Sequence, residues 1–286
     1  MKITDTGIDT IQAIVKGKID KDKMNNRAIM DKKVNYTLDD NTKLPINISL
    51  WFGEIKKLST VNETYKAINE LQGVLGLDRV DIAVDFMELL FDKKNVFRMI
   101  LECYARQKKF KTDVFKTIKG IAVNGNLKLS NNRLELTAYD CTDKIERVGN
   151  TRLEIHNKDL RIEKITKKII QDKIENYIQD LKEMLQFQEQ VERDYIEGLT
   201  QKYQETKGIN FINFSEFIAW ADYEGYILTS GILKGLLKSC GMKITFKSFV
   251  QGFKKTRKET LNFTTEKELK ETVKMIEKEL KKCVKN

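Results

Sequence analysis

Three stretches of the chain alternate apolar and polar residues, and this alternation limits the fold more than any other feature. They are DRVDIAVDF at 78–86, NNRLELTAYD at 131–140 and TRLEIHN at 151–157. Because successive side chains of a β-strand point to opposite faces, each stretch predicts a strand with one apolar and one polar face. Such strands are typical of an antiparallel sheet that covers a core with one face only.

The polar faces of these strands carry many titratable groups. The first has two carboxylates four residues apart, the second a tyrosine, and the third a carboxylate with the one histidine of the chain. Arg79, beside the first pair, would steady a carboxylate or a nucleic-acid backbone. The side chains concerned are Arg79, Asp81, Asp85, Arg133, Tyr139, Arg152, Glu154 and His156.

Four of these side chains predict a divalent metal site if the strands are neighbours with their polar faces on one side. Asp81, Asp85 and Glu154 offer the hard oxygen ligands that suit Mg²⁺ or Mn²⁺, and the single imidazole of His156 is compatible with Mn²⁺. The two aspartates would repel each other, and a cation between them would compensate. Tyr139 beside such a metal is a candidate nucleophile toward a phosphodiester.

An ordinary sheet with one solvated face explains the same pattern. Alternating apolar and charged residues occur on any half-exposed sheet, and arginine opposite aspartate or glutamate is common cross-strand pairing. Periodicity alone leaves both interpretations open.

The charge of the chain favours a polyanionic partner. Its 286 residues carry 52 Lys and Arg against 42 Asp and Glu, a net charge of +10. Such a surplus suits nucleic acid or an anionic membrane surface. An AT-rich genome that prefers Lys, Ile and Asn codons would give a similar surplus.

Localisation follows from features that the sequence lacks. It has no long uncharged apolar run, so we expect no membrane span, and its first twenty residues are too polar for a secretion signal. The four cysteines show no zinc-binding spacing and are expected to be reduced thiols in the cytoplasm. One histidine excludes a His-rich zinc site.

The pattern along the chain predicts an α+β protein in three parts. Residues 1–160 mix strands with helices and form an antiparallel sheet with flanking helices, the helices falling within 59–77 and 94–110. Further strands are predicted within 7–19 and 47–55. Apolar residues at three- and four-residue steps predict a connecting amphipathic helix or helix pair over 161–205. Residues 206–286 are predicted to be all-helical.

The last part has the character of a helix-turn-helix. Thr229 or Ser230 would cap one helix, Gly241 lies near the centre of a turn, and Thr245 would cap the next helix. The second helix ends in a cluster of basic residues that suits contact with DNA phosphates. A plain helical bundle with a solvated basic end is the alternative.

The strands also resemble a known family, the Rep_trans-type replication initiation factors. DRVDIAVDF resembles their R-[LIV]-D-[LI]-A-x-D strand, and RLELTAYD followed by TRLEI is similar to their hydrophobic-Tyr-[DN]-K … R-[FV]-E-[IL] block. GIDTIQAIVKG is similar to the strand that opens their catalytic domain. Order and approximate spacing match over residues 7–157, and residues 161–286 are not covered.

The resemblance implies an HUH-like nickase that initiates rolling-circle replication of a plasmid, a phage or an integrative element. Tyr139 would attack one DNA strand at an origin and become linked to the 5′-phosphate, with Mg²⁺ or Mn²⁺ assisting. Asp81, Asp85 and Glu154 would be carboxylates of the metal or phosphate site, and His156 joins them from the strand-face argument. The DNA would be single-stranded or cruciform at the nick, and a host helicase and a second copy of the chain are further candidate partners.

The chain departs from the family pattern in one place. Cys141 stands where the family has lysine, and Lys144 is the candidate replacement from the following loop. Tyr104, with Lys108 one helical turn later, competes with Tyr139 as the nucleophile, although core packing also explains it. The predicted DNA-binding residues are Arg79, Arg133, Lys144, Arg152, Lys247, Lys254, Lys255, Arg257 and Lys258.

Two other functions stay open. A non-catalytic initiator or regulator would bind DNA through the helix-turn-helix and use the sheet for dimerisation. A metal nuclease would activate water with carboxylates alone, with Glu154 and Lys158 as its candidate groups. The first predicts binding without nicking, and the second predicts cleavage without a covalent adduct.

Overall fold

A six-stranded antiparallel sheet forms the strand-containing part of the protein. The computed structural model describes residues 2–15, 42–48, 58–70, 74–87, 94–110, 126–140, 150–157, 162, 164–257, 261 and 263–285. The strands are β1 Lys2–Val15, β2 Thr42–Asn47, β3 Val74–Met87, β4 Asn126–Ser130, β5 Leu134–Asp140 and β6 Asn150–Asn157. They lie in the order β2-β1-β3-β6-β5-β4, and each neighbouring pair is antiparallel.

Helices occupy the rest of the regular structure. Two lie between strands, and the others follow the sheet in the chain. They are α1 Val61–Glu70, α2 Lys94–Gln107, α3 Lys167–Glu183, α4 Gln188–Thr206, α5 Phe214–Tyr223, α6 Ser230–Ser239, α7 Phe246–Arg257 and α8 Glu266–Lys285. The expected α+β class is therefore confirmed.

The three alternating stretches form the centre and one side of the sheet. Strands β3, β6 and β5 are direct neighbours, as the polar-face argument required. Of the strand predicted within 47–55, Asn47 is the last residue of β2. Residues 49–57 lie outside the described part, so the rest of that strand stays a prediction. The helix predicted within 59–77 is α1, which ends at Glu70. Leu75, inside the predicted range, belongs to β3. Strand β4 was not predicted.

The apolar face of the sheet joins the core. All residues from Val80 to Phe86 of β3 are buried, so its apolar side chains lie in the core and its polar side chains are shielded from water as well. Burial of apolar area at about 25 cal/mol per Å² is the main stabilisation available to such a sheet. The fully or almost fully buried side chains on this face include Ile11, Val80, Ile82, Val84, Phe86, Leu136, Ala138, Leu153 and Ile155.

The connecting segment forms a helix pair, as predicted. Helices α3 and α4 are joined by a short 3₁₀ turn at Met184–Phe187. On α4 the side chains of Val191, Tyr195, Leu199 and Tyr203 are buried at regular four-residue steps. The apolar stripe read from the sequence is therefore the inner face of the helix.

The caps predicted for α6 and α7 are also confirmed. The Thr229 hydroxyl accepts a hydrogen bond from the Ile232 amide at 3.0 Å, and the Thr245 hydroxyl accepts one from Ser248 at 3.2 Å. Gly241 has a φ of 70°, a left-handed conformation that suits glycine in the turn between the helices. The helix-turn-helix function of α6 and α7 stays a prediction.

The chain builds two compact units whose segments interleave. Unit 1 comprises residues 1–89, 126–179 and 275–286, and it contains the sheet. Unit 2 comprises residues 90–125 and 180–274, so that α2 belongs with the later helices. Within unit 2, the Asn95 side chain accepts a hydrogen bond from the Leu228 amide at 3.1 Å. The division into a catalytic part, a connector and a DNA-binding part stays a functional prediction.

Candidate functional site

The sheet register brings the polar faces of β3, β6 and β5 together. Asp81 lies opposite His156 and Asp85 opposite Arg152 across β3 and β6, while Tyr139 lies opposite Arg152 across β5 and β6. Directly opposite residues point to the same face of a sheet. Asp81, Asp85 and His156 are each at most 5% exposed, whereas Arg79 and Tyr139 on the same face are half-buried.

Arg152 is the centre of one half of the polar face. Its guanidinium donates two hydrogen bonds to the two carboxylate oxygens of Asp85, at 2.7 and 3.0 Å. A third hydrogen bond, of 2.7 Å, runs from Arg152 to Asp9 on β1. Burial lowers the pKa of Arg152, but Asp85 and Asp9 outweigh it, so the guanidinium stays charged.

Asp9 is a member of this site that the sequence argument did not identify. The pairing of β1 with β3 skips Asp9, because the register shifts between Ile8 and Thr10. Such a bulge re-aims a side chain. Asp5 and Asp9 repeat the four-residue spacing of the aspartates on β3, and this repeat is the signal that could have identified them.

Burial shifts the pKa of both β1 aspartates in the same direction. It raises the pKa of Asp9, and the positive charge of Arg152 offsets only part of the rise. It also raises the pKa of Asp5, although the Leu58 amide donates a 2.6 Å hydrogen bond to that carboxylate. A carboxyl group with a raised pKa gains a proton more readily, so β1 can relieve part of the negative charge.

Asp81 and His156 form the other half of the polar face. Arg79 donates to both oxygens of Asp81, at 2.6 and 2.7 Å, and also contacts Nδ1 of His156. That nitrogen lies 2.9 Å from Asp81, and Nε2 of the ring lies 3.4 Å from Glu154. Burial lowers the pKa of His156, but the hydrogen bonds with Asp81 and Glu154 outweigh it and raise the pKa to about 9.

Tyr139 completes the row of polar contacts. Its hydroxyl donates a 2.5 Å hydrogen bond to Oε1 of Glu154. Burial and the negative charge of Glu154 raise the pKa of the phenol. Burial also raises the pKa of Glu154, but hydrogen bonds from His156 and Tyr139 outweigh it and lower the pKa. The pair is therefore a neutral phenol that donates its hydrogen bond to an ionised carboxylate.

The four predicted metal ligands share this face, but their oxygens are directed at other groups. Both oxygens of Asp81 accept from Arg79, and both oxygens of Asp85 accept from Arg152. In the part of the chain that the structure describes, no three His, Cys, Asp or Glu side chains are grouped to hold a metal ion. The donor set as folded is arranged for guanidinium groups, so we assign no reaction step to a metal.

Several other predicted residues lie elsewhere. Arg133 is exposed and lies in the turn before β5, rather than on the strand face. Tyr104 is 1% exposed, and its ring lies 6.2 Å from that of Phe110, as core packing requires. The predicted residues outside the described part are Cys141, Lys144, Lys158 and Lys258.

Unit 2 carries a second candidate site, a basic surface on α6 and α7. Residues 230–257 contain seven Lys or Arg and no Asp or Glu. Lys247, Lys254 and Lys255 are exposed, and Arg257 is half-buried. A one-signed surface of this kind attracts a polyanion at long range.

Comparisons with protein-family models, with curated proteins and with solved structures find no match to this chain. Within the described residues, none of the helices has both the length and the apolar character needed to cross a membrane.

Proposed function

We propose that this protein nicks one strand of DNA through Tyr139, as an initiator of rolling-circle replication. The observation that carries the proposal is the 2.5 Å hydrogen bond from the Tyr139 hydroxyl to Glu154, with Arg152 Nη1 3.6 Å from the same carboxylate oxygen. A nucleophile, its base and a positive charge thus lie within contact distance of one another. This is the arrangement that attack on a phosphodiester requires.

The chemistry follows from these three groups. Tyr139 Oη attacks the phosphorus atom while its proton passes to Glu154, which avoids a free phenolate whose formation the raised pKa opposes. The new bond joins Oη to phosphorus, the bond from phosphorus to the 3′-oxygen breaks, and that oxygen takes up a proton from solvent. Arg152 stabilises the charge on the phosphate. Dependence on Mg²⁺ or Mn²⁺ is part of the proposal and is tested in the same assay.

A second candidate function is a DNA-binding initiator or regulator that does not cleave. Two observations favour it. Asp81 and Asp85 are paired with arginine inside the sheet, which is an arrangement that stabilises a fold, and the basic surface lies on α6 and α7. In this case the polar face would be structural and DNA would be bound by unit 2.

A covalent-adduct assay separates the two functions. The full chain is mixed with labelled single-stranded oligonucleotides that tile the DNA element encoding it, with Mn²⁺ or with EDTA, and then denatured on a gel. We expect a slow-migrating adduct that is lost with Tyr139→Phe. Tyr223→Phe is the matched control, because Tyr223 is 85% exposed and belongs to unit 2.

Each other outcome has a defined meaning. If the adduct is lost with Tyr104→Phe and not with Tyr139→Phe, the nucleophile is Tyr104 on α2. Cleavage without an adduct would indicate a nuclease that activates water. Duplex binding with neither cleavage nor adduct would support the second candidate, and an adduct that persists in EDTA would show that the metal requirement is wrong.

A further inference from the structure

The loop between α4 and α5 exposes two large apolar side chains. We name residues 207–213, of sequence KGINFIN, the tip loop. Ile209 is 81% exposed and Ile212 is 92% exposed. Phe211 between them points inward, with its ring 5.4 Å from those of Phe217 and Trp220. The loop thus packs one half-buried apolar side chain against α5 and presents two others to solvent.

Hydrogen bonds hold the tip loop in a fixed shape. The Ile209 and Asn210 amides both donate to the carbonyl of Thr206, at 3.1 and 3.0 Å, and the Gly208 amide donates to the carbonyl of Phe211. The Ile212 amide donates to the Glu216 carboxylate at 2.8 Å. A loop held in this way loses little conformational entropy when its exposed side chains bind a partner.

The tip loop lies beside the turn between α6 and α7. Phe214, which follows the loop directly, has its ring 5.5 Å from that of Phe249 on α7. Burial raises the pKa of the Cys240 thiol in the turn, and a hydrogen bond with Thr200 and the charge of Lys207 offset part of the rise. Both ends of the loop are therefore close to the proposed DNA-binding helices.

Charge decides which partner this surface fits. The tip loop has one lysine and no acidic residue, and the neighbouring segment 230–257 has seven basic residues and none that is acidic. The Glu216 carboxylate lies at the Ile212 amide, so the positive charge beside the loop comes from the α6–α7 side. Exposed isoleucine next to such a basic segment suits DNA. Proteins that distort DNA combine phosphate contacts with apolar side chains that enter between base pairs.

We propose that Ile209 and Ile212 form a wedge that enters the base stack and unstacks the duplex beside the α6–α7 contact. The proposal rests on DNA being the partner of unit 2, as in the second candidate function above. The lysines would fix the protein on the phosphates, and the isoleucines would open the duplex so that single-stranded DNA becomes available to an initiator.

Binding to matched and mismatched DNA tests the wedge. The full chain is titrated against a short labelled duplex and against the same duplex with a central mismatched bubble. A bubble removes the unstacking cost in advance, so we expect the native protein to bind it roughly tenfold more tightly. The variant with Ile209→Ser and Ile212→Ser should lose this preference and keep its affinity for the matched duplex, since neither side chain supports the fold.

Tyr223→Ser is the matched control, because it removes an equally exposed apolar side chain at the far end of α5, about 15 Å along that helix. The control should keep the bubble preference. Duplex binding without any preference for the bubble, or a preference that survives the double substitution, would overturn the wedge alone. A double variant with unchanged DNA preference but altered oligomeric state in sedimentation would assign the loop to a protein interface. Absence of all DNA binding by the native protein would overturn the DNA partner itself.

Discussion

Arg152 and Asp85 face each other across β6 and β3 and share two hydrogen bonds inside the sheet. The Arg152 side chain is 10% exposed and that of Asp85 2%, so water screens this ion pair little. Removing one partner of such a pair leaves a buried charge without compensation. We therefore expect removal of either partner to destabilise the fold, whether or not Arg152 also binds a phosphate.

Arg152→Met should destabilise unit 1 by about 3–5 kcal/mol, because Asp85 and Asp9 both lose their guanidinium partner. Arg152→Lys should destabilise unit 1 less, because it keeps the positive charge but loses the bidentate hydrogen bonding to Asp85. Urea unfolding measures both. Arg133→Met is the matched control and should change the free energy of unfolding by no more than about 0.5 kcal/mol, as Arg133 is exposed. Equal effects at the two arginines would contradict the assigned pairing.

His156 should titrate well above an ordinary histidine. Its pKa is raised to about 9, because the hydrogen bonds with Asp81 and Glu154 outweigh burial. The chain has one histidine, so the proton resonance of its ring can be followed by NMR without ambiguity. Asp81→Asn should lower the midpoint, since it removes a negative partner, and a native midpoint at or below about 6.5 would contradict the network.

The same pKa makes the stability of unit 1 depend on pH. A folded-state pKa of about 9, above the unfolded value of about 6.5, stabilises the folded state fully below about pH 6.5. That stabilisation, on the order of 3 kcal/mol, is lost as the pH rises through about 9. His156→Gln should lack this part of the pH dependence. The free energy of unfolding of both proteins is measured from pH 6 to pH 9. If it changes with pH to the same extent in both, His156 is not responsible.

Two glycines should respond to alanine in opposite directions. A Cβ atom on Gly7 would meet the backbone carbonyl of Ser59 at 2.5 Å, where Ile8 and Ser59 exchange two backbone hydrogen bonds. Gly7→Ala should therefore destabilise the protein by about 2 kcal/mol. A Cβ atom on Gly252, in α7, would meet nothing within 4 Å, so Gly252→Ala should stabilise by up to about 1 kcal/mol. Thermal unfolding of the two variants compares them, and a stable Gly7→Ala would contradict the close approach.

The salt dependence of DNA binding should identify the lysines that contact phosphates. Replacing Lys254 and Lys255 by glutamine should reduce the slope of log affinity against log salt by about 2, since each phosphate contact contributes about 0.9. Lys267→Gln with Lys270→Gln is the control, because both lysines are exposed and already paired with glutamates on α8. Fluorescence anisotropy at several salt concentrations gives the slopes. Equal slopes for both variants would place the DNA elsewhere.

The sequence was sufficient for features that depend on local periodicity. A two-residue period placed Asp81, Tyr139 and Glu154 on polar faces, and hydroxyl caps at Thr229 and Thr245 set the starts of two helices. Strand adjacency was a supposition that the register of β3, β6 and β5 confirms. The proposed chemistry at these residues stays a prediction.

Features that depend on distant parts of the chain could not be predicted in the same way. Asp9 joins the site through a bulge, which interrupts the period on which the argument depended. The partners of Asp81 and Asp85 depend on register, because a single-residue shift would turn every side chain to the other face. The hydrogen bonds from Arg79 to Asp81 and from Arg152 to Asp85 were therefore not predictable from periodicity alone.

The chain passes between its two units four times, at residues 89, 125, 179 and 274. No single cut in the gene can therefore release either unit whole, and a fragment such as 206–286 would carry an incomplete share of both. Isolating either unit for study would therefore require joining separate segments of the chain.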